Sequence, residues 1–198
     1  MGKALHYAIC AAFSLAASSG CATVPDGYTC CNLHHDADRI SDANWRNLPM
    51  IPAGATIRIV NYGFNTAVVE IDGKQIRIAH DYGRDQESLE TYVAKLVLPF
   101  DPRTRVASWP PEVRDAIFRG VVIPGMTREQ VLVAVGYPPT HRTFTLDSNV
   151  WHLWASRHAR YEIHFNGQGT VERIVGDTPA RGYRSASPAF IEAIELPQ

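Results

Sequence analysis

At 198 residues the chain is long enough for one ordinary domain or two small ones, and its 45% hydrophobic, 20% charged composition is that of a folded protein. A formal net charge of -1 gives no electrostatic pull toward nucleic acid or an acidic membrane surface. Beyond the first twenty residues, no apolar run approaches the roughly 18 residues needed to span a bilayer.

Residues 1–20 read as a targeting segment. Lys3 supplies a short positive region, Ala4 to Ala17 an apolar stretch broken only by His6 and Ser14, and Ser18-Ser19-Gly20 the small residues before Cys21. The arrangement resembles a lipobox, in which the thiol of Cys21 carries lipid and the peptide is cut just before it. Ser18 stands where lipoboxes usually have Leu, and the other reading is an ordinary signal peptide cut near Ala22. Either reading exports the protein. Ala22 after the cysteine, rather than Asp, implies by analogy with enterobacterial lipoproteins a lipid-anchored position on the periplasmic side of the outer membrane.

Of the four cysteines, Cys10 leaves with the leader and Cys21 takes lipid, so the adjacent pair Cys30-Cys31 remains. In an oxidising compartment two thiols do not stay free indefinitely, and both a bond between neighbours and an intermolecular bridge are open. Cys30, Cys31, His34 and His35 also gather soft and imidazole donors in one short stretch. That defines an alternative, an exported metal-binding or redox protein, with His80 as a possible further ligand. Zinc sites usually draw on two separated pairs, and no second cysteine pair exists.

Residues 21–50 are polar with little periodicity, which predicts a tether; extended, it would reach on the order of 100 Å. Residues 51–100 carry strand signals. Thr56–Tyr62, Ala67–Ile71 and Gln75–His80 alternate, and Asp72-Gly73 suits a two-residue hairpin because both positions need positive φ. Asp85 is placed to cap a short helix with Leu89, Tyr92, Val93 and Leu96 as its apolar stripe, and Leu96–Leu98 to add a fourth strand. The pattern resembles small SH3-like barrels. His80 to Asp85 holds acid, base and phenol, at a strand-to-helix junction where charged loop residues are also expected.

Residues 101–178 give the strongest local signals. Pro110-Pro111 open a helix carrying Val113 and Ile117, and Gly120 and Pro124-Gly125 break the chain. Thr127 and Gln130 form a capping box, Met126 and Val131 the positions of a hydrophobic staple, and Gly136 with Pro138-Pro139 the stop. Val150–Ala155, Tyr161–Asn166 and Thr170–Val175 then alternate as three strands. Residues 179–198 are read as a tail.

The order Gly125-Met126-Thr127, Gln130-Val131, Gly136 and Pro138, followed by Trp151-His152-Leu153-Trp154 and then Ile163 to Val171, is similar to the SmpA/OmlA (BamE) family. The resemblance covers about a third of the chain. It implies two helices on a three-stranded antiparallel sheet, and a role like that of the family's best-known member, an outer-membrane lipoprotein accessory to β-barrel assembly. The fold expected is therefore α+β, an SH3-like β region followed by a BamE-like αα-βββ domain. The same unit recurs in exported inhibitors, so an inhibitor-like binding module is a further alternative.

No nucleophile elbow, zinc-protease helix or phosphate loop is present, so the expected function is non-catalytic, with no cofactor and no nucleic-acid partner. The expected partners are the membrane, through the lipid on Cys21, and another envelope protein. His152 and His164 alternate away from the core side and, with Trp154 and Tyr137, are the candidate partner-binding residues. The aromatic pair has a second reading, packing against the N-terminal strands.

Overall fold

The computed structural model describes residues 27–81 and 85–176. The expected leader 1–20, Cys10, the lipidation site Cys21 and the tail 179–198 lie outside the described residues. The fold is α+β, with a large curled, mainly antiparallel sheet, a smaller three-stranded sheet and a few short helices.

The first strands fall where a tether is expected: β1 (Gly27–Thr29), β2 (Leu33–Asp36), β3 (Arg39–Ser41) and β4 (Met50–Ile51). The polarity of this stretch misleads because its polar side chains are consumed internally. Thr29, Asn32, His34, Ser41, Asp42, Asn44 and Arg46 are all buried, and such burial is stable when hydrogen bonds replace water. Thr29 Oγ1, for example, donates to Pro52 O at 3.0 Å and accepts from Ala55 N at 3.0 Å. Residues 27–50 are thus part of the folded body.

The expected meander follows as β5 (Thr56–Tyr62), β6 (Thr66–Ile71) and β7 (Lys74–Ala79). Its tight turn has Asp72 at φ 46° and Gly73 at φ 78°, the conformation a two-residue hairpin requires. Then come α1 (Leu89–Leu96) and β8 (Val97–Leu98). Asp85 does not cap α1; Ser88 does, its side chain accepting from Thr91 N at 3.2 Å directly before the buried Leu89. The large sheet runs β4-β2-β3-β7-β6-β5-β1-β8, with β3 and β7 parallel. The 51–100 region is therefore no self-contained barrel, since four of its sheet's strands come from 27–51.

The remainder holds α2 (Arg103–Ala107), which no sequence signal announced, then α3 (Pro111–Phe118) and α4 (Arg128–Val135). The three-stranded sheet follows as β9 (Val150–Ser156), β10 (Ala159–Phe165) and β11 (Val171–Val175), ordered β11-β10-β9. Pro111 occupies the first turn of α3, and both halves of the Thr127/Gln130 capping box are formed at α4. Gly136, at φ 81°, ends α4. Val113, Ile117, Met126, Val131, Trp151, Ile163 and Phe165 share one core; Leu33, Ile57, Val69, Ile78, Tyr92 and Leu96 share another.

Two asparagines join the halves. Asn32 Nδ2 donates to Ile117 O at 2.6 Å and Ala134 O at 3.0 Å, while its Oδ1 accepts from Ala53 N at 3.0 Å. Asn44 Nδ2 donates to Val135 O at 2.8 Å and Asn32 O at 2.9 Å, and its Oδ1 accepts from His34 N at 2.6 Å. The acceptors Ile117, Ala134 and Val135 are carbonyls in the last turns of α3 and α4, which have no partner inside their helices unless something caps them.

Candidate functional site

Strand alternation sends Trp151 and Leu153 of β9, and Tyr161, Ile163 and Phe165 of β10, toward the core, leaving His152, Glu162 and His164 on the outer face. The expected juxtaposition of the two histidines is diagonal: Glu162 stands opposite His152, and His164 opposite Val150. One carboxylate lies between them. Glu162 Oε1 is 3.4 Å from His152 Nδ1, and Glu162 Oε2 is 3.0 Å from His164 Nε2. Arg173 donates to His164 Nδ1 at 3.3 Å, so Nδ1 is the acceptor and Nε2 carries the proton toward Glu162.

A groove of about 620 Å³ opens beside this face, lined by Arg142, Phe144, His152, Arg160, Glu162 and Val175 among others. Phe144 is 83% exposed and Val175 45%. Such exposed apolar side chains around a polar cleft mark the kind of surface that buries on association. Arg142 and Arg160 are exposed and form no ion pair among the described residues.

The other two candidate aromatics are not part of an open patch. Trp154 is only 5% exposed; its ring lies 5.4 Å from that of His141, and its carbonyl accepts from Arg46 N at 3.4 Å. Tyr137 is half-buried against the N-terminal core, with Lys95 Nζ 4.9 Å from its ring centre. Burial, and then Glu87, push the Tyr137 hydroxyl pKa up. Both therefore follow the packing alternative, and the candidate surface shrinks to His152 and His164 with the groove beside them.

The Cys30, Cys31, His34 and His35 set is not assembled as one site. Cys30 and Cys31 are bonded to each other and buried. His34 points inward and His35 outward, as neighbours on β2 must. His35 Nδ1 lies 2.8 Å from Ala37 O. His34 Nδ1 lies 2.9 Å from Leu48 O, which can only accept, so Nδ1 bears the hydrogen and Nε2 the lone pair. Burial, despite the Leu48 bond and reinforced by Arg46 and His35, lowers the His34 pKa to about 4. No group of three or more His, Cys, Asp or Glu side chains among the described residues could share a metal.

His80 finds a partner the sequence did not single out. Asp42, buried at the end of β3, accepts from His80 Nδ1 at 2.9 Å, Gln86 Nε2 at 2.9 Å, Asp81 N at 3.1 Å and Ser41 Oγ at 3.4 Å. Four donors compensate its burial. Arg39 forms an ion pair with Asp81. The carboxylate fixes the imidazole so that Nε2 is its free nitrogen, an orientation that general bases use. Among the described residues no hydroxyl or thiol bonds to Nε2. Tyr82, Gly83 and Arg84 lie outside the described residues. The signal for Asp42 was faint: it sits in a polar stretch 38 residues before its partner.

No protein family matches the chain, and no curated protein or solved structure is similar to it at a significant level. No described helix is long and apolar enough to cross a membrane.

Proposed function

We propose that this protein is an exported, lipid-anchored binding module of the cell envelope, one that docks a protein partner on the outer face of β9 and β10 rather than catalysing a reaction. The carrying observation is the groove beside Glu162, rimmed by the exposed Phe144 and Val175 and by the exposed Arg142 and Arg160. An apolar anchor next to exposed arginines suits a segment that brings an apolar side chain and a carboxylate together. The order of capping box, Gly136, Trp-bearing strand and closing hairpin supports reading residues 101–178 as a SmpA/OmlA-like unit. It makes an accessory role in outer-membrane assembly the specific form of this proposal. The leader-like residues 1–20 directly before Cys21 support the anchor, and Ala22 the outer-membrane position.

The test uses the full-length protein in cells, with a photocrosslinking amino acid in place of Phe144. A discrete crosslinked product is expected, lost on Arg142→Glu with Arg160→Glu. The same probe at Phe64, which is 99% exposed on the β5–β6 turn and not part of the groove lining, should not give that product. A product shared with the Phe64 probe, or unchanged by both charge reversals, would overturn the docking face. Intact-mass analysis of wild type beside Cys21→Ser tests the anchor independently, since only the wild type should carry the lipid increment.

A further inference from the structure

β2 and β4 pair antiparallel, with His34 directly opposite Met50. Opposed residues of such a pair stand on the same side of the sheet with β-carbons about 5 Å apart. Both side chains reach toward Gly120, which follows α3 with φ 61°. The point where a β-carbon on Gly120 would stand is 2.9 Å from Met50 Sδ and 3.7 Å from His34 Nε2. With no side chain on Gly120, a thioether sulfur and an imidazole nitrogen both come within 4 Å of one point beside it.

The nitrogen is held ready to bind. Its ring is anchored by the Nδ1–H bond to Leu48 O, and the backbone N–H of His34 is bonded to Asn44 Oδ1. His34 is 1% exposed, and its Nε2 has no hydrogen-bond partner. A buried imidazole lone pair with no donor is costly unless something uses it. Backbone bonding of the distal nitrogen is the usual way a ligating histidine is oriented.

Two neutral donors, one of them a thioether, select by softness and by charge. Zinc wants four ligands and usually some anionic ones; calcium and magnesium want oxygens. A monovalent soft ion accepts few neutral N and S ligands. Arg46 also bears on His34 electrostatically, which opposes a divalent ion more than a monovalent one. Met50 is half-buried at the edge of the sheet, which leaves a way in.

We propose that His34 Nε2 and Met50 Sδ, brought together beside Gly120, form a binding site for a single Cu(I) ion. Binding is a ligation step with no change of oxidation state and no proton released, since both donors are already neutral. Cys30 and Cys31 take no part, being joined to each other.

The experiment titrates Cu(I) into the purified full-length protein under anaerobic conditions, against bicinchoninate as competitor. Ascorbate maintains Cu(I), and free thiols are first capped with N-ethylmaleimide so that no thiolate competes. About one equivalent is expected to be retained, with sulfur and nitrogen scatterers in the X-ray absorption spectrum. Met50→Leu conserves volume and should keep the urea midpoint of the wild type, but it should weaken binding at least tenfold and remove the sulfur scatterer. His34→Gln should abolish retention. Failure to hold Cu(I) against bicinchoninate, unchanged binding in Met50→Leu, or equal retention of Zn(II) would each overturn the site.

Discussion

Replacing Asn32 by alanine tests whether the two halves are one folded body. The side chain satisfies Ala53 N, Ala134 O and Ile117 O, all in the interior. Ile117 O keeps a second donor, Gly120 N at 2.9 Å, so it loses one bond and is not orphaned. Ala53 N and Ala134 O are left with no described partner. An abandoned buried polar group costs about 1–3 kcal/mol and a lost bond about 1 kcal/mol, so two abandoned groups and one lost bond in Asn32→Ala should destabilise by about 3–7 kcal/mol. That is a large part of the roughly 5–15 kcal/mol a domain possesses. The assay is urea unfolding followed by tryptophan fluorescence, with Trp45 reporting from the first half and Trp109, Trp151 and Trp154 from the second. A single transition is expected in wild type, shifted to lower urea without a new phase in the mutant. Asn32→Asp should cost at least as much: it keeps the acceptor for Ala53 N, but it buries a charge and turns a carboxylate oxygen, in place of an amide donor, against the two carbonyls. A loss under about 1 kcal/mol, or a wild type that unfolds in two separate steps, would refute the reasoning.

Three further outcomes follow from the same geometry. His34 titrates near 4 when folded and near 6.5 when unfolded, so the unfolded chain binds the extra proton between those values. Stability is full above 6.5 and falls by up to about 3 kcal/mol as the pH drops to 4; in chelator-treated protein, His34→Gln should flatten that slope, and an unchanged slope would assign it elsewhere. Gly136→Ala puts a β-carbon at φ 81° and 2.6 Å from Asn44 Nδ2, so chemical denaturation should show a loss of about 3 kcal/mol. Thr127→Ala removes the cap that accepts from Gln130 N at 3.3 Å and should lower stability by about 1 kcal/mol, read as a shift in the urea midpoint at constant slope.

What could be read from the sequence was what local chemistry decides. The Thr127 capping box, the Pro111 start, the Gly136 stop and the Asp72-Gly73 turn each involve residues within a few positions of one another, and each forms. The three C-terminal strands follow from period-two alternation on a half-buried sheet. What escaped depends on long-range partners. The pairs from Asn32 to Ile117 and to Ala134 span 85 and 102 residues, and the parallel pairing of β3 with β7 has no local turn to announce it. A stretch whose polar groups are satisfied that far away has the composition of a solvated tether.

That misreading also accounts for Trp154. On β9 it stands opposite Arg160, in the same register as the pairs Leu153–Tyr161 and His152–Glu162, so alternation puts it on the outer face with His152. The edge of β9 there is bonded by the backbone of Arg46 and Asn47, residues assigned to the tether; once that segment folds back, the indole is covered. His152 and His164 share that outer face and stay half-buried, without such a cover. The same folding back brings Met50 opposite His34. The metal-binding alternative thus named one ligand of the proposed site, His34, but looked for its companions among sequence neighbours, when strand pairing and the absence of a side chain on Gly120 supply them from afar. Substituting Cys30 and Cys31 therefore should not alter Cu(I) retention in any variant that keeps the wild-type fold, whereas filling the space at Gly120 should reduce it.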